Sequence, residues 1–327
     1  MSARYLTRLF LAMFFGLLSL AGSLPVCSAE EVLVADRLTN SVYRYSDTGA
    51  FLGTLLTDNT NLNQPAGIVA SRDLSHIYVS SSQNNEVVRY DYNYAAGTAT
   101  NATVFATAAQ GLNFPNDMIF SADGSKLYVA GLNGLGISQL NATTGASAGP
   151  NIGGGSSFAF SGLDFSPTGA LLAGGFDGGT VAKSNGAITA MSDLVAPNAL
   201  IQGAAGILVD GNDLYVTGLF TGQLNRFNAT TGAIDGAFNV SSLAFPQALM
   251  KAPGGSGLLV GILGFSAGTG NISRYGTNGS FQGVFAAAGS GFTEPTAFIA
   301  VPEPTSFALA GIALAMLGFV VRRRIVR

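Results

Sequence analysis

Few residues of this 327-residue chain could do chemistry, and their spacing excludes most reactions. His76 is the only histidine and Cys27 the only cysteine. A zinc site needs several such ligands close together, so none is expected. A Ser-His-Asp relay would have to use His76, which reads as an exposed flank of the strand "IYVSS", and no nucleophile elbow is present. The glycine runs "GGGSS" (153–157) and "GGSG" (254–257) lack the Lys-Ser/Thr and helix of a phosphate loop and read as turns. Asp91, Asp123, Asp210 and Asp213 fall where a carboxylate caps its own corner. What remains is the pair Asn116–Asp117 in "PNDMIFS". Its amide oxygen and carboxylate are donors that a hard cation such as calcium accepts.

The pair opens one copy of a repeat. Segments "PAGIVAS", "PNDMIFS", "FSGLDFS", "AAGILVD", "PQALMKA" and "PTAFIAV" begin at 65, 115, 160, 204, 246 and 295. A second apolar segment follows several of them: "HIYVSS", "KLYVAG", "DLYVTG" and "GLLVGI", with "VLVAD" (32–36) as the N-terminal counterpart. A third alternates and carries an arginine beside an aromatic residue or leads into one: "SVYRY", "VVRY", "LNRF" and "ISRY". Arg44, Arg89, Arg226 and Arg274 then fall at equivalent positions, which points to packing or ion pairing. The turn "NATTGA" occurs identically at 141–146 and 228–233, close to two repeats apart.

Four short strands per repeat of this length predict the blades of a β-propeller. The chain starts on a second-strand segment and finishes on a first-strand segment, so the termini must share a blade and close the ring. The division gives six blades: 295–301 with 32–64, then 65–114, 115–159, 160–203, 204–245 and 246–294. Seven is the alternative, because the divergent stretch 146–200 could hold a further division. A parallel β-helix is also glycine-rich, but its rungs are shorter and it needs no terminal closure.

In a propeller the first strands line a central channel, and their entries gather at one mouth. Those entries are Ala66/Gly67, Asn116/Asp117, Ser161/Gly162, Ala205/Gly206, Gln247/Ala248 and Thr296/Ala297, of which only Asn116/Asp117 offers a carboxylate. The run "FPNDMIFSADGSKLYVAG" resembles the gluconolactonase-like six-bladed propellers, and the repeat is similar to YVTN-type propellers. The resemblance implies a calcium-dependent lactonase in which an Asn-Asp at this entry contributes to the metal site. Asn116 and Asp117 match it. The family's further ligands, a Glu, a second Asn and an Asp, would belong at entries where this chain has residues such as Gly162 and Ala205.

The ends carry addresses. Arg4 and Arg8, an apolar core from Leu9 to Ala21, and Cys27 and Ala29 at small-x-small positions describe a signal peptide over 1–29, cut after Ala29. Cys27 leaves with it; a lipoprotein signal would use Cys27 instead, but "LPV" before it lacks the small residue preferred there. At the other end Thr305 to Val321 is uncharged, about 26 Å long as a helix, and Arg322, Arg323 and Arg324 follow. Arginines beside a span stay on the cytoplasmic side, so the span runs from outside at Pro304 to inside. The order Pro302-Glu303-Pro304, span and arginine cluster resembles the PEP-CTERM sorting signal. That likeness implies export by the secretion machinery and signal peptidase, processing by an exosortase-type enzyme, and a Gram-negative envelope.

Charged residues are only 10%, glycines number 44 and the mean hydropathy is +0.38, which suits a sheet-rich chain with many tight turns. Between Glu30 and Val301 lie nine basic and seventeen acidic residues, and so negative a surface disfavours nucleic acid. The expectation is a signal helix (1–29), an all-β propeller (30–301) and a sorting tail with a transmembrane helix (302–327, span 305–321). The domain would bind extracellular polysaccharide or matrix proteins without a cofactor. The alternative is a calcium-dependent lactonase- or lyase-like enzyme using Asn116 and Asp117.

Overall fold

The computed structural model describes residues 30–263, 269–287, 289 and 291–302. These form six antiparallel sheets arranged as a six-bladed β-propeller, with no α-helix among them. Blade 1 contains β1 (Glu30–Asp36), β2 (Ser41–Tyr45) and β3 (Phe51–Thr57). Blade 2 is β4 (Pro65–Ala70), β5 (His76–Ser81), β6 (Glu86–Asn93) and β7 (Thr98–Ala106). Blade 3 has β8 (Pro115–Phe120), β9 (Lys126–Gly131) and β10 (Ile137–Asn141). Blade 4 is β11 (Phe160–Phe165), β12 (Leu171–Gly175), β13 (Thr180–Ser184) and β14 (Met191–Val195). Blade 5 is β15 (Ala204–Asp210), β16 (Asp213–Gly218), β17 (Gln223–Asn228) and β18 (Ile234–Val240). Blade 6 is β19 (Pro246–Lys251), β20 (Leu258–Ile262), β21 (Asn271–Tyr275) and β22 (Phe281–Ala286).

The final strand, β23 (Pro295–Pro302), pairs with β1 and completes blade 1 as its innermost strand. Pro302 sits opposite Glu30, so the propeller runs one residue beyond the boundary expected at Val301. The stretch 146–200 holds no seventh blade. Residues 147–152 take the place of an outer strand in blade 3 through isolated bridges Ile137–Ile152 and Leu140–Ser147, and blade 4 follows at Phe160.

Blades pack face to face, which explains the second-strand sequences. In β1, Val32 and Val34 join Leu259 and Ile272 of blade 6, while Leu33 and Ala35 join Ile77 and Val79 of blade 2. A strand buried on both faces reads as a continuous apolar run and not as an alternation. Similar clusters fill the other blade interfaces. The outer strands are largely exposed instead, with Phe51, Ile234 and Phe281 at the surface.

Closure is secured by Asp36, which is fully buried. Its Oδ2 accepts the N–H groups of Thr293 and Glu294, and its Oδ1 accepts those of Leu38 and Thr39 and the Thr39 hydroxyl. One carboxylate thus ties the two ends of the domain together.

Candidate functional site

The innermost strands run side by side around the channel, each with a β-bulge two residues in: Pro65 faces Ser81 but Ile68 faces Val79, and Pro115 faces Gly131 but Met118 faces Val129. A bulge re-aims side chains and frees backbone groups at the entry. Hydroxyls on the second strands use those groups. Ser80 Oγ accepts Gly67 N–H (2.7 Å) and donates to the Asn116 carbonyl (2.8 Å) of the next blade, and Thr217 does the same between Gly206 and Gln247. The ring is tight here. A Cβ on Gly162 would lie 2.4 Å from the Ala205 carbonyl oxygen, which accounts for the small residues at most entries.

Asn116 and Asp117 both reach the channel, but in different roles. Asn116 is buried, and its Nδ2 donates to Ser161 Oγ of the next blade at 2.8 Å. Asp117 turns both oxygens onto backbone: Oδ1 accepts Met118 N–H and Oδ2 accepts Leu163 N–H, each at 2.8 Å. Asp164 repeats this one blade on and two residues deeper, accepting from Phe165 (2.7 Å) and Val209 (2.7 Å). Burial pushes the Asp117 carboxyl up to about 6, against the pull of its two N–H donors, and the nearby Asp164 charge adds to the rise. Burial also raises Asp164. The channel below the mouth encloses about 270 Å³ among apolar residues such as Ile68, Ile119, Leu208 and Phe298.

Among the strand entries only Asn116/Asp117 brings a carboxylate, as expected, but deeper in the channel Asp164 is a second. It escaped the entry comparison because it lies two residues past Gly162, at the position of Ile119 and Leu208. The signal was an acidic residue inside the apolar segment "FSGLDFS".

These donors do not fit a calcium site. Both oxygens of Asp117 are already engaged by N–H groups of the strands, and the remaining entries bring Ala66, Ser161, Ala205, Gln247 and Thr296 without a carboxylate. Calcium takes six to eight oxygens, usually from several acids. Among the described residues no group of three or more His, Cys, Asp or Glu could hold a metal ion.

The face around the mouth is apolar. Phe114, Leu132, Phe176, Leu219 and Leu263 line the opening with Arg37, Gln64 and Gln247. Leu38, Leu135, Phe158 and Phe220 stand exposed on the loops around it, and Phe176 meets Phe220 edge to face at 5.3 Å.

Other candidates resolve as structure. Arg44, Arg89, Arg226 and Arg274 do occupy one position, opposite Leu33, Tyr78, Tyr215 and Leu259 of the second strands. Arg44 grips Glu31 with two bonds (2.8 and 2.5 Å), and Arg226 pairs with Asp235 and Asp213. Asp123 caps its turn as expected, accepting Ser125 N–H, but Asp91 lies within β6 and faces His76 at 3.3 Å. His76 is half-buried, not an exposed flank, and its Nδ1 lies 2.7 Å from Ser75 Oγ. In the chain Ser75–His76–Asp91 the Ser75 hydroxyl donates to Asp73, the turn bond that Ser125 makes to Asp123 in blade 3 beside Lys126, so Ser75 serves its turn. Ala29, Glu303, Pro304, Arg322, Arg323 and Arg324 lie outside the described residues, as do the expected signal helix and span, while Pro302 ends the closing strand. Among the described residues no helix is long and apolar enough to cross a membrane.

This architecture defines a six-bladed propeller with a narrow, apolar-rimmed mouth. Residues 21–166 match the SMP-30/Gluconolactonase/LRE-like region, and residues 300–324 match the PEP-CTERM protein-sorting motif. The chain is thus a β-propeller, similar to gluconolactonase-like proteins over its first blades, that ends in a PEP-CTERM motif. No curated protein matches it in sequence. Among solved structures it resembles a chain of a nidogen–laminin complex (12% identity, TM-score 0.64), covering 83% of this chain and 98% of the other. It also resembles proteins assigned as 6-phosphogluconolactonases from Bacteroides fragilis (15%, TM-score 0.59, 85% and 99% covered) and Bacteroides uniformis (14%, TM-score 0.57, 78% and 82% covered). Such low identities establish the fold alone.

Proposed function

We propose that this protein is an exported binding protein of a bacterial envelope or extracellular matrix, delivered through its PEP-CTERM tail. In this reading residues 1–29 are a signal peptide removed after Ala29, and residues 305–321 anchor the precursor until an exosortase-type enzyme processes it. The observation that supports binding is the apolar rim of Leu38, Leu135, Phe158 and Phe220 around the mouth. These side chains surround an opening that is itself lined by Phe114, Leu132, Phe176, Leu219 and Leu263, and apolar surface gathered at a concave mouth suits a binding partner. Polysaccharide or matrix proteins are the partners proposed for it. The protein recovered from its own cells is expected to have an intact mass ending within 302–304 and to be retained by the matrix polymer of those cells. A mass running to Arg327 overturns the sorting reading; no retention overturns the binding one.

A second reading, a calcium-dependent lactonase or lyase, draws on the gluconolactonase-like match, which spans Asn116 and Asp117. It requires saturable calcium binding that is lost in Asp117→Ala. Calorimetric titration is expected to detect no such binding, since the Asp117 oxygens hold Met118 and Leu163.

A further inference from the structure

The innermost strands all enter at the mouth and leave at the opposite face. Thr296 Oγ1 donates to the Pro65 carbonyl, so β23 and β4 enter side by side, and Pro302 leaves on the face that carries the hairpin Ser71–Ser75 of blade 2. The uncharged segment 305–321 begins three residues after Pro302. So short a connection leaves this face no room to turn away from a bilayer that holds that segment.

On the same face a groove of about 690 Å³ lies between blades 2 and 3, lined by Arg72, Asp73, His76, Tyr78, Arg89 and Thr143. Arg44 and Arg226 have an acid two residues before their cross-strand neighbour, Glu31 and Asp213, whereas Arg89 has His76; Arg274, with Gly257 there, donates to the Pro253 and Ser256 carbonyls instead. Among the described residues Arg89 has no ion pair with a carboxylate; it stands opposite Tyr78 across the strands. Arg72 has none either, and it donates to the Ala122 carbonyl (2.6 Å) across the blade boundary. Two carboxylates are close: Asp73, ionised and held by Ser71 and Ser75, lies at the groove's edge beside Arg72, and Asp91 is held by Asn101 and His76. Guanidinium groups left without an ion pair suit a phosphate, which they bind in a fork geometry.

We propose that the hairpin face is the membrane face of the anchored protein, and that this groove receives the phosphate of an anionic lipid headgroup. The proposal rests on the tail being a membrane anchor, and it adds which face meets the bilayer and through which residues. Basic side chains at an anionic surface gain attraction that salt screens. The mouth with its apolar rim then faces outward, free for a partner.

The chain has no tryptophan, so single reporters can be introduced. Thr143→Trp in the groove and Phe158→Trp on the mouth face would each be made in the full chain and incorporated into nanodiscs whose lipids carry a headgroup nitroxide. The Thr143→Trp reporter is expected to be quenched several-fold more than Phe158→Trp. Adding phosphatidylglycerol to phosphatidylcholine discs should deepen that quenching, and Arg72→Gln with Arg89→Gln should remove the increment. Equal quenching of both reporters, or stronger quenching of Phe158→Trp, overturns the orientation. A phosphatidylglycerol increment that survives the double substitution overturns the groove. Failure of the chain to co-elute with the discs instead overturns the anchor reading, and the two failures are told apart by that elution.

Discussion

At the scale of single residues the channel carboxylates matter most. Asp117 and Asp164 each use both oxygens to hold backbone N–H groups of their own and the next blade. They therefore link blades 3, 4 and 5 at the axis, where inner strands have no further partner. Their charge is costly there. The folded state holds the Asp117 proton more tightly than the unfolded chain, since its pKa rises from 3.8 to about 6. The cost is fully present above pH 6 and is relieved as pH falls toward 4. Asp117→Asn removes this titration. The stability of the native protein relative to Asp117→Asn is expected to rise between pH 6 and pH 4, by on the order of 1–3 kcal/mol, in denaturant melts at matched ionic strength. A flat difference across that range would show that the carboxylate is not desolvated.

At the scale of elements, identical turns have identical duties. In both copies of "NATTGA" the asparagine oxygen accepts two N–H groups: Asn141 from Thr143 and Thr144, Asn228 from Thr230 and Thr231. Gly145 and Gly232 share a φ of 72° and press on the outer strand of the preceding blade, where a Cβ would lie 1.9 Å from the Phe105 oxygen or 2.0 Å from the Leu194 oxygen. The turn was legible as a repeat, but its contact with the blade before it was not. Closure of β1 on β23 shows the same limit: the missing first strand of blade 1 was evident from segment order, whereas the dependence on Asp36 was hidden. Asp36→Ala strips a buried carboxylate from four N–H groups. It is expected to cost about 3–5 kcal/mol in thermal or denaturant unfolding, because those donors are left dry. A loss under about 1 kcal/mol would mean that water reaches them.

At the scale of the whole molecule, periodicity in the sequence determined the architecture. Each blade must bury two faces, so its second strand is buried on both sides and its middle is apolar, and the copies could be counted and joined end to end. The irregular outer edge of blade 3 was the one place where the count stayed open, because residues 147–152 bridge to β10 without strand-like periodicity. The C-terminal sorting motif was likewise readable, since a targeting segment acts as a linear string. The tertiary structure alone decided what the channel holds and where the faces point. Asp164 joins Asp117 only because successive blades place residues 117 and 164 on neighbouring inner strands. Arg72 and Arg89 meet in one groove only because two hairpins and a third strand converge at a blade boundary. A linear pattern records what each strand must bury. Which groups of different blades become neighbours, and which of them lose their water, follows only from closing the ring.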